Sequence, residues 1–521
     1  RNQAKHGGAL LFKCIKVLNI SNSKFYNNFC KISGGAMGLK FSESVYAEIH
    51  DSVFIRNNAE LGGALFFDTT GSLIHTNVTF GRNYAREAGG VVYAYKLQSV
   101  QNNGCKFYNN QAKLGGAITI LYNQFVSNTD TQFVKNKATS GGALHSEKSQ
   151  FIINKNVLFR HNYAIHGGSL NIYLSPQSEV INFNCSFLIN YAHLGGCIKF
   201  FHGHRIVNVQ TLFFNNKALH GGVVYIGHTH SITNIAIKVD HNQASKNGLG
   251  GAIYARDVRK TSIIKSFFAS NAAQHGGILY ILNSEYLFYI RCINLCNKAG
   301  VSGGSICANY VKTFEITDSK FNHNYAGKVG GFLAIRDIVE FSSSKSVYLD
   351  NKANYKNAVF IINMCDNVTL FAIKIVNNTA TIGGVAEIQT NTFSATRSYF
   401  MKNNAKHVAV LVLKNAQISC FIHCVFLKNI AVKTPGILSL HLIRSTLVAK
   451  TLFIHNEVFE KINRRFKGGI VKLEHVNFAY SIDVLFINNT DGGMAFENGD
   501  SMIIRKSYFR KNSAFFLGGG I

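Results

Sequence analysis

The 521-residue chain has no tryptophan and only two prolines. Proline removes backbone donors from strands paired on both sides, so its near absence suits a molecule built almost wholly of sheet. Acidic residues are also scarce, with 26 Asp and Glu against 54 Lys and Arg, a net charge of +28. Chemistry that needs clustered carboxylates therefore has little to draw on. No apolar run approaches the roughly 18 residues of a membrane-spanning helix. The 11 cysteines include no Cys-x-x-Cys pair, which argues against a zinc ribbon. Cys292/Cys296 and Cys420/Cys424 share a four-residue step, and Cys197 stands where the repeat expects a small core residue. Long stretches with apolar residues at i, i+3 and i+4 are missing too, which excludes helical repeats.

What is present is a repeat. Gly-Gly pairs begin at Gly7, Gly34, Gly62, Gly89, Gly115, Gly141, Gly167, Gly195, Gly221, Gly250, Gly276, Gly303, Gly330, Gly383, Gly468, Gly492 and Gly518. Most intervals are roughly 26 to 28 residues, the self-similarity of a repeat architecture. A Phe-x-x-Asn motif keeps pace, as in Phe54/Asn57, Phe107/Asn110, Phe133/Asn136, Phe213/Asn216 and Phe426/Asn429. Short alternating apolar runs such as Ile118–Tyr122 lie between turn residues and read as strands. The pattern predicts an all-β, right-handed parallel β-helix of about twenty coils. At a strand spacing of about 4.8 Å this would be a rod on the order of 95 Å long. In such a fold Gly-Gly turns a corner with no Cβ against the next coil, Phe fills the core and Asn stacks into an amide ladder. The motif is thus scaffold and not an active site.

Gly7–Leu10, Gly34–Met37, Gly62–Leu65, Gly115–Ile118, Gly141–Leu144 and Gly250–Ile253 each read Gly-Gly-Ala-apolar, with looser versions at Gly167–Leu170 and Gly221–Val224. Together with Phe-x-x-Asn, this resembles the chlamydial polymorphic outer membrane proteins and related secreted β-helix arrays. The resemblance implies a secreted or cell-surface protein acting in adhesion. The bacterial family also carries a C-terminal transporter barrel, and nothing like one is present in this sequence.

Residues 1–521 read as one repeat array whose two ends fall inside a repeat, so the sequence is expected to be an excerpt of a longer protein. Between about 350 and 470 the coils degenerate. Asn357-Ala358, Val408-Ala409 and Pro435-Gly436 stand where Gly-Gly is expected, and a basic insertion occupies 457–467. A shorter bulge lies at Ser245–Leu249. Insertions in solenoids go into loops on one face, often the binding face.

Stacking turns one repeat position into one column. Basic residues just ahead of the motif Asn, namely Arg56, Arg82, Lys135, Arg160, Lys402, Lys428 and Lys511, are expected to line one ribbon, with His241, His323 and His455. Such a ribbon attracts polyanions, so acidic polysaccharide or an anionic cell surface is the expected partner. Nucleic acid ranks low because no aromatic platform interleaves the column. His202 and His204 stand at the same offsets from Gly195 as His228 and His230 from Gly221, a patch that could bind Zn²⁺, Cu²⁺ or Ni²⁺. Glycosylation sequons occur at Asn19, Asn77, Asn184, Asn367, Asn377 and Asn488. No cofactor is expected.

The competing expectation is a carbohydrate-active enzyme of the pectate lyase or glycoside hydrolase kind. It requires Asp or Glu at matching positions in adjacent coils, to hold Ca²⁺ or to supply acid and base. Asp257 and Asp337 match in position but fall three coils apart, about 14 Å. Asp240, Asp318, Asp350, Glu315 and Glu340 fall at other positions, so catalysis is not expected.

Overall fold

A computed structural model describes residues 2–173, 176–381, 384–432, 436–458, 469–490 and 492–513, with backbone alone at 41–43. Of the expected basic insertion, 459–467 lies outside the described residues, as do Pro435 and the Gly-Gly glycines Gly383 and Gly468. Among the described residues every named element is a strand and none is a helix. The chain forms two compact units, Arg1–Ser262 and Ile263–Ile521. Each is a parallel β-solenoid, together about 18 turns, the architecture expected of a right-handed parallel β-helix. Stacked corner residues lie mostly 26 to 29 positions apart, with a longer step of 33 between Asn456 and Asn489.

One turn shows the plan. Strand Val92–Tyr95 ends at Lys96, strand Ser99–Asn103 at Gly104, and the short strand Lys106–Tyr108 at Asn109. All three corner residues have left-handed backbone, with φ of 61°, 63° and 54°. The next turn pairs with these strands in parallel and without a shift, Val92 on Ile118, Ser99 on Phe125 and Lys106 on Gln132. Among the described residues the first Gly of each pair makes the fourth corner, as at Gly115 with φ of 59°. The second faces its counterpart: a Cβ on Gly116 would sit 2.1 Å from the carbonyl oxygen of Gly142. Where Asn357 replaces the first Gly it takes the same left-handed backbone, φ 62°. Asn tolerates that region better than other side chains.

The motif Asn forms the expected ladder, and its geometry explains why no other residue serves. Asn57 Nδ2 donates to Asn83 Oδ1 on the next turn (3.1 Å) and to the Phe25 carbonyl on the previous one (3.0 Å). Asn83 Oδ1 also accepts the Asn57 backbone N–H. Each amide thus spends both donors and both lone pairs in a fully buried site. The ladder runs from Asn28 to Asn242 in the first unit and from Asn271 to Asn512 in the second. The preceding Phe residues stack beneath it. Phe25 through Phe213 have successive centroids 4.6 to 5.3 Å apart, and Phe400 through Phe509 continue the pattern at 4.6 to 4.9 Å.

Two further columns carry no obvious sequence motif. Asn102, Asn128, Asn154, Asn182, Asn208 and Asn234 form a second internal ladder with 2.8 Å steps. Its polarity makes Asn102 Oδ1 an acceptor, so His75 heads the ladder by donating Nδ1–H over 2.7 Å. A third column of Ser, Thr and Cys closes the second corner by bonding to the carbonyl two residues back, as in Ser52 (2.8 Å) and Thr451 (2.9 Å). Cys105 and Cys292 do the same with Sγ at 3.4 and 3.2 Å. The buried cysteines are therefore thiol versions of a hydroxyl position, or small core residues such as Cys197. No disulfide joins the eleven cysteines, and burial pushes the Cys105 and Cys292 thiols up to about 12.

Two predictions test these contacts. Gly116→Ala should destabilise the first unit by at least about 2 kcal/mol, since backbone must move. Gly104→Asn should be tolerated, because its column already holds Asn and Asp and the nearest atom is the flexible Asn77 side chain. Equal losses in chemical denaturation would refute the distinction. Burial holds His75 well below its ordinary value, at about 4, against a small upward effect from the bond to Asn102. The unfolded chain therefore binds the extra proton, and stability falls as pH drops from about 6.5 toward 4. His75→Asn extends the ladder with an amide and should remove a fall on the order of 3 kcal/mol, read as the difference between variant and wild type at pH 7 and pH 4.

Candidate anion-binding site

The corner just ahead of the motif Asn is left-handed in turn after turn, including Arg56, Arg82, Lys135, His161, Lys402, Lys428, His455 and Lys511. A left-handed residue at a corner throws its side chain outward, and Arg56, Arg82, Lys135, Lys402 and Lys428 are all exposed. Arg160 is the exception to the expected ribbon. It ends strand Leu158–Arg160 and pairs with Val134 and Leu188, while His161 holds the corner. Asn109 separates Arg82 from Lys135 in the first unit, so no three consecutive turns carry Lys, Arg or His there.

The second unit concentrates the charge. Lys402, Lys428 and His455 occupy consecutive turns, because Met401, Leu427 and Ile454 pair in register. With Asn377, Thr379, Asn404, Ile430 and Glu457 they line an open cleft of about 650 Å³. Lys511 lies further along the same column, beyond Asn488.

A second basic column stands across the short strands. Arg397, His423 and Lys450 are left-handed, exposed corner residues on the same three turns. Strands Tyr399–Met401, Val425–Leu427 and Leu452–Ile454 separate the two columns and present outward-facing apolar side chains between them. The sequence signal for this column is the residue ahead of the corner-closing Ser398, Cys424 or Thr451, which the Phe-x-x-Asn motif hides. Among the described residues none of these six basic side chains has a carboxylate within 4 Å. Like charges one turn apart repel by about 1 kcal/mol in water, so a bound polyanion relieves a cost built into the fold.

The histidine patch is only partly assembled. His202 stacks on His228 with centroids 5.1 Å apart and planes 10° from parallel, and His204 stacks on His230 at 4.8 Å and 15°. The buried Gly203 and Thr229 lie between the two pairs. Ring nitrogens bind a metal along lone pairs in the ring plane, at about 2.0–2.1 Å. Near-parallel stacked rings do not aim those lone pairs at one ion. Asp257 approaches His228 Nδ1 at 3.5 Å but also meets Arg256 at 3.3 Å. Among the described residues no group of three or more His, Cys, Asp or Glu is placed to hold a metal ion.

Sequence reasoning missed one pair of adjacent carboxylates. Glu474 and Glu497 pair in register, and Lys472 Nζ lies 3.1 and 3.7 Å from them. Partial burial raises the Glu474 carboxyl, but the bond from Lys472 and the nearby charges outweigh it, so its affinity for a proton is lowered. A carboxylate held ionised by a lysine is the opposite of a general acid. The six sequon asparagines sit outside the core: Asn19, Asn77, Asn184, Asn367 and Asn377 are exposed and Asn488 is half-buried. No helix among the described residues is long and apolar enough to cross a membrane. No family model and no curated protein matches this chain.

Proposed function

We propose that this protein is a secreted or cell-surface structural scaffold that adheres by binding acidic polysaccharide along the cationic face of its second unit. The observation that carries the reading is the run Lys402, Lys428 and His455 on consecutive turns, lining a cleft with one carboxylate, Glu457, and with no ion pair within 4 Å among the described residues. A rigid column of cations at strand spacing suits a linear polymer whose charges also repeat. The second column, Arg397, His423 and Lys450, widens the charged face. The fold supports a structural role, since its polar ladders and stacked rings serve stability and its motif residues are buried. Outward sequons suit glycosylation in a secretory route. The protein in this reading works without catalysis, its adjacent glutamates being bridged by Lys472.

The test is retention on immobilised heparin and hyaluronan over a salt gradient. Binding should weaken steeply with salt, because exposed charge is screened within about 8 Å at physiological ionic strength. Replacing Arg397, Lys402, Lys428 and Lys450 together by Gln should weaken binding about tenfold or more. The same change at Arg56, Arg82, Lys135 and Arg160 should cost several-fold less. Equal losses would mean that net charge alone governs retention and would overturn the site.

A further inference from the structure

The first corner of the second unit forms a groove that the cationic face does not include. Here the chain steps outward, inward and outward in three residues. Ala416, Ile443 and Val476 point in and are buried. On one side stand the left-handed residues Asn415, Leu442, His475 and Asn498. On the other stand Gln417, Arg444, Asn477 and Asp500. These two walls and the backbone between them line an open, shallow groove of about 460 Å³. That volume lies within the range of small-molecule sites, about 300–1,000 Å³. The groove crosses four consecutive turns, a length of about 14 Å at strand spacing.

Its chemistry differs from that of the anion-binding face. Four carboxamides line it, with one Arg, one His and one Asp, so positive and negative groups nearly cancel. Asn477 Nδ2 donates to Asp500 Oδ2 over 2.8 Å, which sets both side chains. The side chains of Asn415, Gln417, Arg444 and Asn498 form no hydrogen bond to the protein among the described residues. Every carboxamide offers donors and an acceptor, as every sugar hydroxyl does. Leu442, which is 51% exposed, gives an apolar patch on the same wall. A linear ligand with hydroxyls along its length and apolar C–H faces satisfies both features.

We propose that this groove binds an uncharged oligosaccharide, lying along the solenoid axis of the second unit across the four turns. Arg444 and the free carboxamides hold its hydroxyls, and Leu442 packs against a ring face. The site is independent of the cationic face, and the two can be separated by salt and by mutation.

The test is calorimetric titration of the full chain with cellohexaose, mannohexaose, maltohexaose and chitohexaose. At least one hexasaccharide should bind, more tightly than its disaccharide because the groove spans several sugars. Binding should persist in 0.5 M NaCl, conditions that release heparin. Asn415→Gly, which keeps the left-handed corner unstrained, with Gln417→Ala should weaken it tenfold or more while leaving heparin retention intact. Changing Lys402 and Lys428 to Gln should do the reverse. The altered residues are surface side chains, and an unchanged thermal melt confirms folding. Failure of all four sugars to bind at millimolar concentration overturns the proposal. So does equal binding by the double variant or by a permethylated hexasaccharide that lacks hydroxyls.

Discussion

The structure depends on one constraint: identical positions must stack in register at every turn. The Asn ladder shows the constraint most directly. Each amide satisfies a backbone N–H, a backbone carbonyl and two neighbouring amides, all out of contact with water. A buried polar group left unpaired costs about 1–3 kcal/mol, so a slip of one residue would be penalised at every corner at once. Gly-Gly obeys the same constraint from the steric side. Its second glycine lies against the carbonyl of its counterpart, and a methyl group there has no room.

Stacking also decides how function can be written into such a chain. A single surface side chain does little on a repetitive wall. The same residue type on three consecutive turns makes a column with a field. Lys402, Lys428 and His455 put three basic side chains on consecutive turns, whereas Arg82 and Lys135 are interrupted by Asn109. The same rule explains the histidines. Stacking brought each pair together as register demands, yet it set the rings face to face, which suits packing and not coordination. It also places carboxylates together at Glu474 and Glu497, where Lys472 absorbs the charge.

The interior varies more than the motif implies. In the first unit a second amide ladder runs through the core and ends at His75, whose Nε2 is buried without a partner. The matching positions of the second unit include Ile316, Leu370 and Phe421, all buried. In the Phe column of the second unit, Asn294 replaces Phe and accepts a hydrogen bond from the buried Tyr289 hydroxyl. An apolar position can thus hold a polar side chain when a residue of the same turn supplies a partner, although Asn294 Nδ2 stays buried without one.

Period, strand class, the buried Phe, the corner Asn and the glycine pairs were all legible in the sequence. Each is a local requirement repeated many times, and repetition makes a weak signal strong. The second Asn ladder and the Ser/Thr/Cys corner column repeat too, but they carry no fixed neighbours and so left no motif. Arg160 stands two positions ahead of Asn162 and so ends a strand, and His161, the residue next to that Asn in the sequence, takes the corner. The second basic column, the groove at Asn415 to Asp500 and the orientation of stacked rings were decided only by the tertiary structure. They arise between turns roughly 26 residues apart, where side-chain direction and the inward or outward step of the corner determine which groups meet. By itself the sequence determined which residues share a column, because stacking is periodic. Which columns face one another across a corner follows from left-handed backbone at positions that any exposed residue type can occupy.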